Sequence, residues 1–294
     1  MKKVTLLGVG AVGGGLLCKN PQMLEKIKVA VTNERKERMQ KDGIVVNDVQ
    51  YFPQIAENEP QDILLVAVKN TQLQDVLDEM KPYIGENTII VPLMNGISAV
   101  EVLQNAFPNH VVVPTVVYVD AQKQGNDIKC SEKYLIEIGG IKQETLETLQ
   151  ALFAECGVVC EIKDDIQRCQ WKKFMANIGA NQVSAITGAT YGDFVVIPEV
   201  AEAAKAAMEE VLAVAMAMGI NLSQEDVEDV INGFKRWNEN GKSSMLQDVE
   251  AKRITEVDIF AGKLIALGKG CGVATPVNQT LYWLLCAKQK IYTR

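Results

Sequence analysis

A single histidine, His110, occurs in the 294 residues. Metal centres built on several histidines, Ser-His-Asp or Cys-His machinery, and the histidine–carboxylate pair of lactate-type dehydrogenases would all have to use it. It stands in Pro108-Asn109-His110, a loop entering the apolar run at 111–113, and reads as structural. Proton transfer therefore falls to lysine and carboxylates. The seven cysteines form no C-x-x-C pair and show no metal-ligand spacing. Such an odd, scattered set fits reduced thiols in the cytoplasm better than a disulfide framework, and no metal site is expected. Positive charge is also short: 30 lysines and arginines face 37 acids, for a net charge of −7. That balance argues against a nucleic-acid partner, which needs a basic stripe to meet phosphates. The longest apolar run, Val211 to Met218, is too short to span a bilayer, and the N-terminal segment does not read as a signal peptide. No membrane partner is expected.

What is present begins at residue 4. Val4-Thr5-Leu6-Leu7 is a short β-type run, followed at once by Gly8-Val9-Gly10-Ala11-Val12-Gly13 and a helical segment. This is G-x-G-x-x-G after a strand and opening a helix, the context a dinucleotide site requires. The first glycine permits the tight turn and the second lets backbone approach a pyrophosphate. The third lets helix pack on strand, and the helix N-terminus faces the phosphates. Gly8, Gly10, Ala11, Val12 and Gly13 are thus candidate cofactor contacts. A second strand is expected at 27–32, where an acid at the tip would bind a ribose 2′-hydroxyl. Here Thr32 and Asn33 occupy the tip and Glu34-Arg35-Lys36 follow. A small polar residue leaves room for a 2′-phosphate, and Arg35 or Lys36 can neutralise it. Asn33 and Arg35 therefore point to NADP, with NAD the alternative if Glu34 serves as the ribose acid.

Further strands are expected at 62–68 and 88–94, ending on Lys69 and Asn95. Ligands of open α/β sheets collect at strand carboxyl ends, so both residues are candidates at the cofactor or substrate. After Lys69-Asn70-Thr71-Gln72 a helix is expected through about Pro82, with a short hairpin at 43–52 and a β-rich stretch at 111–140 that turns at Gly125-Asn126. A helix at 143–156 and a strand at 158–162 follow. Lys163-Asp164-Asp165 reads as a boundary. Residues 1–164 then form an α/β Rossmann-type dinucleotide-binding domain and residues 165–294 an all-α substrate and catalytic domain. Within the latter, 242–248 reads as a loop and 255–258 as part of a helix. Gly268, Gly270, Gly272 and Pro276 read as a turn before the last helix.

The segment Trp171 to Asn181 is unusual. As a helix it stacks Lys173, Asn177 and Asn181 at i, i+4 and i+8 on one face. Its other faces carry Phe174, Met175, Ala176, Ile178 and Ala180, and a helix apolar nearly all round is usually buried. An amine and two amides there need partners inside the protein, or a ligand that supplies them.

Taken together, the motifs resemble the ketopantoate reductase (2-dehydropantoate 2-reductase) family over both domains. The resemblance rests on the glycine turn, Val68-Lys69-x-x-Gln72, Leu93-Met94-Asn95-Gly96 and Trp171-x-Lys173-x-x-x-Asn177-x-x-x-Asn181. It continues through Ser243-Ser244-Met245-Leu246-Gln247-Asp248, Thr255-Glu256-Val257-Asp258 and Gly272-Val273-x-Thr275-Pro276-x-Asn278. It implies NADPH-dependent reduction of 2-dehydropantoate to (R)-pantoate, on the route to pantothenate and coenzyme A, by a monomer or homodimer. By the same resemblance Lys173 matches the general acid, and Glu256 the carboxylate that supports substrate and lysine. Asn177, Asn181 and Ser244 match groups that bind the substrate's carboxylate and hydroxyl, while Lys69 and Asn95 match residues near the nicotinamide. Two positions depart from the family pattern. Thr32-Asn33 replaces an arginine at the tip of the second strand, and Ala261-Gly262 stands where Asn-Gly is common. An NAD-linked D-2-hydroxyacid dehydrogenase of the same superfamily is the rival reading. A non-catalytic dinucleotide-binding redox sensor is a more distant one.

Overall fold

The computed structural model describes residues 2–31 and 33–294, with the backbone alone of Asn33 and Glu34. The chain divides into two compact units, Met1–Cys169 and Gln170–Arg294. The strands of the first unit are β1 (Val4–Leu7), β2 (Ile27–Ala30), β3 (Ile44–Val46), β4 (Val49–Tyr51) and β5 (Gln61–Val66). They continue with β6 (Ile84–Pro92), β7 (Val111–Val112), β8 (Thr115–Gln124), β9 (Asp127–Gly139) and β10 (Val159–Lys163). Between them lie α1 (Ala11–Lys19), α2 (Asn33–Asp42), α3 (Asn70–Leu73), α4 (Leu77–Met80), α5 (Ala99–Ala106) and α6 (Gln143–Glu155).

A parallel sheet in the order β2-β1-β5-β6-β7 carries the glycine turn. Its strands are largely apolar at their centres because both faces are covered. Leu6, Val29, Ile63, Leu65 and Val91 join Leu16 and Leu17 of α1 and Ile128 and Ile136 of β9 in one core. Leu7, Ala30, Leu64, Val66 and Ile90 face the other way, into a core with Leu73, Met80 and Leu103. This is the two-residue period of a strand, read on both sides. The chain runs outward from β1 to β2 and then returns to place β5 on the opposite flank of β1. The switch point, where such sheets bind ligands, therefore lies at the carboxyl ends of β1 and β5.

A second, mixed sheet has the order β10-β9-β3-β4, with β8 also on β9. The hairpin expected at 43–52 is present and turns on Asn47 and Asp48, both at positive φ (49° and 68°), as a tight two-residue connection requires. It is drawn into this sheet by the parallel pairing of Val45 and Val46 with Asp127 and Ile128. Strand β2 ends at Ala30, shorter than the expected 27–32. In place of one helix running to about Pro82 there are two short pieces, α3, which begins already at Asn70, and α4, bridged by Val76 N–H donating to Gln72 O. Pro82 lies in the 3₁₀ turn that ends it.

In the second unit the helix of the lysine motif, α7 (Ile166–Thr187), is the hub. Phe174, Met175, Ile178, Ala180, Val183 and Ala185 are buried, as its nearly continuous apolar surface predicts. After the short α8 (Asp193–Val196) comes α9 (Pro198–Ala217). Gly179 lets α7 and α9 touch: a Cβ there would strike the Met208 side chain and lie 3.1 Å from Ala204 O. Helix α10 (Gln224–Gly233) starts at a Ser223–Asp226 capping box. The stretch 242–248 is largely helix rather than loop, α11 (Ser244–Glu250), because the Ser243 side chain caps it by accepting the Leu246 N–H at 3.1 Å. Residues 255 and 256 are not helical; they lead into a π-helical turn, Asp258–Gly262, in which Lys263 N–H donates to Asp258 O. That turn runs into α12 (Lys263–Cys271), so Gly268 and Gly270 are inside a helix and not in the expected turn. Gly268 is small because the returning chain presses on it; a Cβ would come within 2.7 Å of Val273 O. Gly272, at φ 75°, ends α12, and Pro276 opens α13 (Pro276–Tyr292).

Candidate cofactor and substrate site

Three strand ends of the first unit converge at the switch point. Gly8 follows β1 at φ 98°, and a Cβ on it would lie 2.7 Å from the carbonyl carbon and oxygen of Ala67, just beyond β5. Gly13 packs so closely on the turn that a Cβ would strike Gly8 O and sit 3.1 Å from the Ala67 Cβ. Gly10 differs. A Cβ there would meet only Ala67 O at 3.8 Å, so packing within the unit does not require this glycine. It stands at the N-cap of α1 with no side-chain cap, and Ala11, Val12 and Gly13 form the first turn. An uncapped helix start that keeps its approach open suits a pyrophosphate. Lys69 is exposed at the end of β5, where it precedes α3. Asn70 Nδ2 donates to Asn95 O at 3.0 Å, joining the loops after β5 and β6. Gly8, Gly10, Ala11, Val12, Gly13, Lys69 and Asn95 are thus gathered on one edge of the sheet. Arg35 is exposed on the first turn of α2; Thr32 and the side chain of Asn33 lie outside the described part.

His110 sits at the opposite edge, just before β7. Its Nε2 is 2.9 Å from Gly85 O and its ring meets Phe107 edge-on at 6.2 Å. The carbonyl can only accept, so Nε2 carries the proton, which is the structural role expected of this residue.

In the second unit, α7 presents Lys173, Asn177 and Asn181 along one face. The neighbouring lysine is spoken for. Lys172 Nζ lies 2.9 Å from both Asp226 Oδ1 and Asp229 Oδ2, and Asp226 is 1% exposed. The two lysines are about 100° apart around the helix, so this pairing assigns them to different faces. Asn181 is 6% exposed. Asn177 Nδ2 is shut off from solvent without a hydrogen-bond partner. Leaving a buried donor unmet costs about 1–3 kcal/mol, so such an atom calls for an acceptor the chain does not supply.

Around α7 the other motif residues sort into scaffold and face. Ser243, buried, shares a hydrogen bond with Ser184 of α7, whereas Ser244 is exposed at the first position of α11. Asp248 accepts from Arg253 Nε at 2.7 Å and closes the turn in which Lys252 takes φ 54°. Thr255 donates its N–H and hydroxyl to Gln289 Oε1, at 2.9 and 3.1 Å, which fixes the backbone just before Glu256. Phe260 stacks on Phe174 at 6.2 Å and brings the π turn against α7 one residue beyond Lys173. Asn278 links Gln182 of α7 to Ala207 O and Glu210 of α9. Ser243, Ser184 and Asn278 escape a search for chemistry because each satisfies another protein group. Their signal is polar residue type at positions of core periodicity.

Comparison with known proteins bears on the assignment. Residues 4–143 match the family model described as ketopantoate reductase PanE/ApbA, and residues 165–289 match its C-terminal model. The chain belongs to the ketopantoate reductase family. It is accordingly an NAD(P)-dependent oxidoreductase that acts on CH–OH groups. A 2-dehydropantoate 2-reductase of Pyrobaculum aerophilum is 29% identical over 231 residues, 77% of each chain. A dimeric ketopantoate reductase of Staphylococcus aureus superposes with a TM-score of 0.84 at 22% identity, covering 98% of this chain and 99% of that one. A D-mandelate dehydrogenase bound to NADH and anilino(oxo)acetate superposes with a TM-score of 0.89 at 20% identity, covering 99% of each. These two likenesses concern the fold.

Proposed function

We propose that the protein reduces 2-dehydropantoate to (R)-pantoate with NADPH, in the cytoplasm and as a monomer or homodimer. Residues 1–164 hold the dinucleotide and 165–294 the keto acid. The observation that carries this reading is the buried, partnerless Nδ2 of Asn177, one helical turn from Lys173. A substrate carboxylate or hydroxyl oxygen is the acceptor such a donor lacks. The bound nicotinamide supplies hydride to the keto carbon. Lys173, as an ammonium, stabilises the charge that develops on the keto oxygen and donates the proton that completes the alcohol. Glu256 supports the charged lysine, and Asn177, Asn181 and Ser244 orient the acid. Gly8, Gly10, Ala11, Val12 and Gly13 hold the pyrophosphate, Asn33 the adenine ribose, Arg35 its 2′-phosphate, and Lys69 and Asn95 the nicotinamide end.

A 2-hydroxyacid dehydrogenase using NADH is the second reading. The absence of arginine at positions 32 and 33 favours it, as does the resemblance in fold to a D-mandelate dehydrogenase. One assay separates them: loss of reduced-nicotinamide absorbance with 2-dehydropantoate or phenylglyoxylate, each with NADPH and NADH. The first reading expects the 2-dehydropantoate–NADPH pair to give the highest kcat/KM; the reverse order selects the second. Lys173→Ala should lower kcat at least about a hundredfold, within the range of a lost general acid. Lys172→Ala should lower stability to urea and leave kcat near its starting value, because its carboxylate partners are structural. Near-normal turnover by Lys173→Ala removes that residue from the mechanism.

A further inference from the structure

The β8–β9 hairpin reaches from the second sheet to the glycine turn and α2. Its Lys123 is half-buried and donates from Nζ to Val9 O, inside G-x-G, at 2.5 Å. Three residues on, at the hairpin tip, Asn126 Oδ1 accepts from Arg38 Nη2 of α2 at 3.0 Å. Two separate contacts thus hold the hairpin beside the carboxyl end of β2. The ammonium of Lys123 is placed among like charges: burial, then the guanidinium groups of Arg38 and Arg35, push its pKa down. Gathering cations around a partly buried amine is unfavourable unless an anion joins them. In a Rossmann-type unit, the region beyond the second strand and beside the first glycine turn is where the adenine ribose lies.

The geometry points to Lys123 as a specificity-determining residue, which reads the 2′-phosphate of NADPH together with Arg35. The inference deepens the cofactor reading above and rests on it. It accounts for a chain that has no arginine at the tip of β2: the positive charge is delivered by a hairpin distant in sequence, with Arg38 locking that hairpin in place. Lys123 acts in binding, and none of the chemistry passes through it.

The test is equilibrium binding without keto acid. NADPH, NADH, 2′,5′-ADP and 5′-AMP are each titrated into the full-length protein by calorimetry. The proteins compared are the wild type, Lys123→Met, Lys123→Arg and Arg35→Gln. A lost charge-assisted contact should weaken NADPH and 2′,5′-ADP by roughly tenfold or more and leave NADH and 5′-AMP within about twofold. Lys123→Arg should recover most of the loss. Arg35 is exposed, so Arg35→Gln tests the same cluster without endangering the fold. If the wild type prefers NADPH and both charge-removing variants keep that preference, the inference falls and the cofactor reading stands. If Lys123→Met weakens all four ligands equally, the lysine merely props the glycine turn and the inference is overturned. A wild type that binds NADH as tightly as NADPH defeats the cofactor reading itself.

Discussion

A methyl group added at Gly13 would strike the carbonyl of Gly8, whereas one added at Gly10 would meet only the Ala67 carbonyl at 3.8 Å. The two glycines of one motif therefore answer to different constraints, and substitution should tell them apart. Gly13→Ala should cost about 1–3 kcal/mol in urea unfolding, the usual toll of overpacking. Gly10→Ala should unfold at nearly the wild-type midpoint and lose dinucleotide affinity, read by titration of either nicotinamide cofactor. Equal stability losses in both variants would contradict this division. At this scale the sequence was informative wherever one residue type is physically required, as at Gly8 with φ 98°. It was less direct where two adjacent residues share a type. The four-residue spacing to Asn177 and Asn181 singles out Lys173 over Lys172, and the structure adds the pairing of Lys172 with Asp226 and Asp229. For Ser243 and Ser244 it adds the cap that Ser243 makes for α11.

Among the elements, α7 organises the second unit, and its polar interior is a network. Asn278 is fully buried, accepts from Gln182 Nε2 at 2.9 Å, and donates to Ala207 O at 3.0 Å and Glu210 Oε2 at 2.8 Å. Asn278→Ala would strand a buried amide and part of a carboxylate. The expected loss is about 2–4 kcal/mol, above that of a single hydrogen bond because the partners stay desolvated. Chemical denaturation measures it, and Asn278→Asp, which keeps one oxygen but sets it against Glu210, should be no better. An unchanged midpoint would mean that water takes over those groups. Elements with local signals were legible in the chain: β1 from its short apolar run, α1 from the glycine turn that opens it, and α7 from its apolar residues and the four-residue spacing of Lys173, Asn177 and Asn181. The second sheet was only partly so. Its β8–β9 hairpin announces itself at Gly125-Asn126, but β3 and β10 join β9 through parallel pairings between distant segments. Helix α11 follows Asn240-Gly241, a turn-forming pair beside which the stretch 242–248 reads as loop and its serine cap goes unnoticed. The π turn at Asp258–Gly262 adds a residue to its helix, a shift that a 3.6-residue template does not anticipate.

For the molecule as a whole, charge and thiol chemistry set the terms of handling. No helix among the described residues is long and apolar enough to cross a membrane, and no cluster of three metal-binding side chains occurs among them. Burial pushes the thiols of Cys18, Cys156 and Cys160 up from 9.0 to about 12. The folded protein should therefore resist iodoacetamide at these three positions at pH 8, and peptide mass spectrometry should find them labelled only after denaturation. The sign for stability follows. These thiols ionise in the unfolded chain near pH 9 but in the folded one near pH 12. Their contribution is constant below about pH 9 and declines between about 9 and 12. If wild type loses no more stability over that range than a Cys18→Ala, Cys156→Ala, Cys160→Ala variant, these thiols do not contribute.

The final turn of α13 has its own significance. Gln289 tethers Thr255, and the Tyr292 hydroxyl donates to Arg253 O at 2.7 Å, so this turn braces the backbone that leads into Glu256. Gln289→Ala with Tyr292→Phe should keep a normal far-ultraviolet dichroism spectrum and, on the proposed role of Glu256, lower turnover. Perturbing that turn should therefore pull on the 253–255 backbone, and on the proposed role of Glu256 with it.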